Sequence, residues 1–286
     1  MMKKILLILL LAFLMIPGFS QKKIPIASQS EIQQFLNSTT YIVLKNAKLS
    51  LYNLVMQEVA EKFWTITPYE FIYESDFHNK RHDKSKSFLV INQFQFENDR
   101  KEDLFDFLVL TIGGNAKTIN DMPSLCAVPL CYHGDDKSDY EYKLGLFIKF
   151  IQKHIQICKD NPDLNENNIA NFYLKKSDNL RSKTFYVLRD ELDSDIRNRS
   201  SFKNIYTHNF IFSTKEKIEE LINKSDPNAV FLHMITPNSP DRDLSLCIKI
   251  IMDTNEGNLY YYDSHSVSNR NPAAFLRSDL RAFSRR

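Results

Sequence analysis

Apolar positions along this chain follow two rhythms, one near 3.6 residues and one of two. The clearest helix is predicted over about 139–159, where Tyr140, Leu144, Phe147, Ile148, Ile151, Ile155 and Cys158 line one stripe. Ser50 caps a second helix reaching Trp64, with Leu51, Val55, Val59 and Phe63 read as its inward positions. A shorter helix is expected over 31–37, with Ile32, Phe35 and Leu36 on one side. Runs rich in aromatic and β-branched residues predict strands at 41–44, 69–73, 88–96, 104–112 and 125–132. A polar stretch, 76–86, reads as a loop between the second and third of these.

Residues 160–171 are polar, contain Asn161-Pro162 and carry no periodic run, so 161–183 reads as a linker. Strands are predicted beyond it at 184–188 and 205–212. Ser213-Thr214-Lys215-Glu216 has the spacing of a capping box and opens a helix that Asp226-Pro227 ends. Val230 to Ile235 is apolar on both faces and therefore a central strand. Strands at 246–252 and 258–262 flank Asp253-Thr254-Asn255-Glu256-Gly257, the strongest hairpin signal in the chain. Asn271-Pro272 opens a last helix with Phe275, Leu276, Leu280 and Phe283 inward.

Both halves run strand, helix, strand, strand, strand, helix. The interval from Ser50 to Tyr69 resembles that from Ser213 to Val230. The expectation is an α+β or α/β fold with mixed sheets, built as two tandem units, 40–160 and 184–286, related by duplication. In each, one strand–helix–strand crossover makes a parallel pair and antiparallel strands follow. Residues 21–39 are read as a leader and short helix preceding the first unit.

The first 20 residues have the order of a secretory signal peptide: Lys3 and Lys4, then apolar Ile5 to Ile16, then the Pro17-Gly18 break and small residues up to Ser20. The apolar run is shorter than the roughly 20 residues a bilayer span needs. The reading is cleavage near Gln21 and a soluble product in the bacterial periplasm or beyond, without an integral membrane segment. Losing Lys3 and Lys4 brings the 37 basic residues level with the 35 acidic ones, which removes any general attraction to nucleic acid or anionic lipid. Only six glycines occur, and none are spaced as a phosphate loop, a dinucleotide fingerprint or a nucleophile elbow. No cofactor is expected.

Candidate chemistry is sparse. His78 and His82 stand four apart, the spacing of a zinc pair on one helix face, but Lys80, Arg81 and Lys84 surround them and Asn79 stands where a metalloprotease has glutamate. Cys126, Cys131, Cys158 and Cys247 are even in number, yet sit mostly within apolar patterns, as free buried thiols do. Cys131 and His133 are two apart, without a third orienting group. Asp253 to Gly257 resembles the opening of a calcium loop, with its glycine one place early. Arg270, Arg277, Arg281, Arg285 and Arg286 suit a helix C-terminus. The best catalytic alternative is Asp263-Ser264-His265, a loop in which aspartate could orient a histidine base beside serine. A continuing strand would send Ser264 to the other face and a tight turn would tie Asp263 and Ser264 to backbone, so His265 is expected not to be catalytic. The expected function is therefore a non-enzymatic binding protein of the cell envelope. It would take a protein partner, or a small ligand in a groove between the units. The alternative is a periplasmic hydrolase using His265.

Overall fold

The computed structural model describes residues 26–96, 101, 103–135, 140–175, 180–237 and 243–285. The signal-peptide reading of 1–20 and the start at Gln21 lie outside the described residues. Among the described residues, no helix is long and apolar enough to cross a membrane.

The first half contains α1 (Gln29–Leu36), β1 (Thr39–Leu44), α2 (Leu51–Phe63), β2 (Tyr69–Tyr73), α3 (Glu74–Lys80), β3 (Lys86–Phe94), β4 (Phe105–Ile112), β5 (Ser124–Tyr132) and α4 (Leu144–Asp160). After α5 (Ile169–Lys175), the second half contains β6 (Thr184–Leu188), α6 (Arg199–Lys203), β7 (Phe210–Ser213), α7 (Lys215–Asn223), β8 (Ala229–Ile235), β9 (Leu246–Asp253), β10 (Leu259–Ser266) and α8 (Arg277–Ser284).

The strands form two five-stranded mixed sheets, ordered β2-β1-β3-β4-β5 and β10-β9-β8-β6-β7. Read from the other edge, the second order is the first with each strand advanced by five. The directions repeat as well. β1 is parallel to β2 and β3, and β6 to β7 and β8; the β3-β4-β5 and β8-β9-β10 ladders are antiparallel. Two units of one topology are compatible with a duplication.

Several boundaries differ from the sequence reading. The polar stretch 76–86 begins within a helix, because Phe77 is buried against Tyr41 and Phe88 and anchors α3. The expected linker holds α5, whose Ile169 and Tyr173 enter the main core. Residues 205–208 are not strand, and the helical cap is Thr214 rather than Ser213, its oxygen accepting from Lys217 N. The last helix starts at Arg277 and not at Pro272. Its first turn is closed by Asp279, which accepts the Leu276 N–H at 2.8 Å. The helices at Ser50 and Ser213 are also not counterparts: α2 joins the first two strands of its sheet, whereas α7 joins β7 to β8. The counterpart of α7 is α3.

Inward residues of both sheets share one core. Ile42, Leu44 and Leu89 of the first sheet and Phe231, Ile248, Ile250 and Met252 of the second meet the same cluster, with α4 between them. That position explains why the apolar stripe of α4 is so wide, with Leu144, Leu146, Phe147, Ile148, Ile151, Ile155 and Cys158 all buried. Gly145 lets α2 approach α4, since a Cβ there would meet Phe63 at 2.9 Å. Lys149 ties α4 to the second unit by donating to Ile222 O at 2.9 Å and Ser225 Oγ at 2.7 Å at the end of α7. A second cluster on the far face of the second sheet includes Ile196 and Phe202 before β7 and Phe275, Leu280 and Phe283 around α8.

Candidate functional site

The 263–266 segment is not a loop. β10 pairs with β9 through Ser266, with Asp263 opposite Lys249, Ser264 opposite Ile248 and His265 opposite Cys247. Alternation then sends Asp263 and His265 to the face covered by α8 and Ser264 to the other face.

Lys249 organises that covered face. Its side chain is 1% exposed. Its ammonium donates to both carboxylate oxygens of Asp279 at 2.9 Å and to His265 Nδ1 at 2.9 Å, and it lies 3.9 Å from Asp263 Oδ2. Tyr261 OH donates to Asp279 Oδ1 at 2.9 Å. A lysine enclosed this far from water needs such a set of acceptors, because an unpaired buried charge costs several kcal/mol. His265 Nε2 lies 2.9 Å from Pro272 O. A carbonyl only accepts, so Nε2 carries the proton, Nδ1 accepts from Lys249 and the ring is neutral. Burial first, then the Lys249 charge, lowers its pKa. With both nitrogens engaged, His265 has no lone pair to offer as a base. Asp263 orients nothing on it.

A second lysine–histidine pair lies on the opposite face of the same sheet. Lys143, just before α4, contacts His233 Nδ1 at 3.1 Å, while His233 Nε2 donates to Pro129 O at 2.9 Å. Burial and Lys143 hold this imidazole neutral, well below its usual pKa. His233 packs against Phe147, so it shares no recess with His265. Nearby Glu191 has a buried Oε2 without a hydrogen-bond partner, and burial raises its pKa to about 7 against the opposing pull of Lys143.

The four cysteines are free and buried. Cys158 Sγ lies 3.5 Å from His154 Nε2, and His154 Nδ1 lies 2.7 Å from Tyr173 OH. The arrangement resembles a thiol–imidazole dyad. Burial nonetheless pushes the Cys158 thiol up to about 11, which keeps it protonated and unreactive. Cys247 is pushed to about 12 for the same reason. His133 pairs with Asp106 at 2.8 Å. His78 and His82 are both exposed, one on α3 and one past its end. They belong to no cluster of three or more potential ligands among the described residues. Asp253 closes the hairpin turn by accepting from Glu256 N at 2.9 Å and Asn258 Nδ2 at 2.7 Å. Gly257 supplies the positive φ of 71° that the turn requires.

No family model, curated protein or solved structure matches the chain.

The surface feature that departs most from ordinary packing lies at the start of α2. Leu49, Leu51 and Leu54 are 89%, 59% and 56% exposed and are the three most exposed large apolar residues among those described. The inward stripe is instead Tyr52, Met56, Val59 and Ala60, so the expected placement of Leu51 inside is wrong. Tyr52 is drawn in by its hydroxyl, which donates to Val43 O at 3.3 Å. Asn53 is fully buried and holds the preceding loop: its Oδ1 accepts from Lys45 N at 2.8 Å, and its Nδ2 donates to Lys45 O at 2.9 Å and Ala47 O at 3.0 Å. A turn from Ser50 N to Ala47 O, 2.9 Å, completes the corner.

Proposed function

We propose that this chain acts, after export, as a non-enzymatic binding protein of the cell envelope. The observation that carries the reading is the leucine corner at Leu49, Leu51 and Leu54. Single exposed leucines are ordinary, but three within six residues, on backbone stitched in place by one buried asparagine, make a preformed contact surface. Several of the groups with catalytic potential are spent internally. His265 and His233 each have both nitrogens engaged, and burial holds Cys158 and Cys247 as neutral thiols. The hydrolase alternative would need His265 free to take a proton from serine, and its hydrogen bonds weigh against that.

The test is site-specific crosslinking in the intact envelope. A photoreactive group at position 49 should form adducts, and the same group at exposed Asn167 should form few. Equal labelling at the two positions, or none at 49, overturns the reading.

A further inference from the structure

We infer that the leucine corner docks on a phospholipid surface carrying anionic headgroups. The inference rests on the binding reading above and names the chemistry of the partner. Three observations carry it.

The first is shape. A residue lining a groove is partly covered by the groove's walls. Leu49, 89% exposed in a turn, projects from a convex corner with Leu51 and Leu54 beside it. A soft apolar layer receives such a tip without a matching pocket, whereas a protein would have to supply one.

The second is the placing of charge. Lys45 and Lys48 precede the leucines directly. The Lys45 ammonium turns inward, donating to Tyr140 OH at 3.4 Å over the buried Tyr52 ring, whereas exposed Lys48 lies 5.9 Å from the Tyr73 ring centre. The carboxylate at this corner, Glu74, accepts the Asn46 N–H at 3.2 Å. The acidic residues of α2, Glu58 and Glu61, come one to two turns after the last leucine. An apolar tip with exposed Lys48 beside it, Glu74 tied to backbone and the acids of α2 farther along the helix, suits insertion between acyl chains while the Lys48 ammonium meets a phosphate.

The third is rigidity. Asn53 binds the loop backbone from within, so the tip does not have to be ordered on contact.

The test is sedimentation with vesicles of phosphatidylethanolamine containing about one third phosphatidylglycerol, compared with vesicles of phosphatidylcholine alone. Residues 21–286 are used, the product expected after cleavage, since the apolar run 5–16 would bind lipid unaided. Wild type should sediment with the anionic vesicles and less with the zwitterionic ones. The Leu49→Ser, Leu51→Ser, Leu54→Ser variant should bind at least about tenfold more weakly, given the usual gain from burying leucine side chains. Its thermal melt should match wild type. Lys48→Ser or added salt should weaken binding to the anionic vesicles. Wild type remaining in solution with both vesicles, or the triple variant sedimenting like wild type, overturns the inference. Should wild type ignore vesicles yet dimerise in light scattering, with the triple variant monomeric, the corner belongs to a second copy. The lipid inference then falls and the binding reading stands. If position 49 also gives no crosslinks, both fall.

Discussion

At the scale of single residues, the chemistry of this chain points inward. Lys249 is a formal charge in a fully buried site, held by Asp279 and His265, with Tyr261 donating to Asp279. Replacing it by methionine keeps the bulk but leaves the Asp279 carboxylate with only Tyr261 and the Leu276 N–H. Lys249→Met should therefore lower unfolding free energy by about 3–5 kcal/mol in urea denaturation. Glu191 makes a prediction of opposite sign. Its folded pKa, about 7, lies above the ordinary 4.5, so between these values the native state keeps a proton that the unfolded chain releases. Stability from this group falls as pH rises through that window. Glu191→Gln should thus melt increasingly higher than wild type between about pH 5 and about pH 8. Had the difference shrunk or reversed, Glu191 would be paired rather than stranded. His233 and His265 act the other way. Their lowered pKa values mean that below the ordinary 6.5 the unfolded rings take protons the native ones refuse, so stability falls as the solution is acidified. The signal for the Lys249 cluster was present in the sequence: a lysine in the middle of the apolar run 246–252 demands acceptors. Asp263, Ser264 and His265 were read instead as a loop because three polar residues in succession look solvated.

Elements show the same mixture of legible and hidden. Strands β1 to β5 and the β9–β10 hairpin were visible because β-branched and aromatic runs ended at turn residues. The duplicate order could be suspected for the same reason. Helix α2 exposes what periodicity leaves open. Leu51, Val55 and Val59 repeat every four residues, but so do Tyr52, Met56 and Ala60, and pattern alone does not choose between adjacent stripes. The choice is made by tertiary contacts, the Tyr52 hydroxyl on Val43 O and the Asn53 amide on the loop. This has a measurable consequence. Met56→Ala should cost about 2–5 kcal/mol, as emptied core positions do. Leu54→Ser, two residues away, should cost under about 1 kcal/mol. Thermal or urea denaturation of the two variants checks the orientation of the helix, and the reverse ranking would rotate α2 by a stripe.

For the whole molecule, the deciding feature is which faces of the repeated units meet. In the first unit, α2 and α4 cover the face turned to the shared core, while α3 packs on the other side with Phe88 and Val90. In the second unit the face turned to the shared core carries α7, the counterpart of α3, and the outward face carries α6 and α8. Different faces therefore meet, as in bricks laid the same way up and unlike two hands pressed palm to palm. A joint of that kind is not self-complementary, and in principle admits a third course and a fourth. What ends the row is the last helix. α4 buries eleven of its seventeen residues within the core the two units share; α8, its counterpart, buries Leu280 and Phe283 and turns Arg277 and Arg281 outward. Those arginines are a coping stone. Changing both to leucine should make this end resemble α4 and drive concentration-dependent growth of chains head to tail, seen as rising mass in light scattering, while the wild-type row stays two courses high.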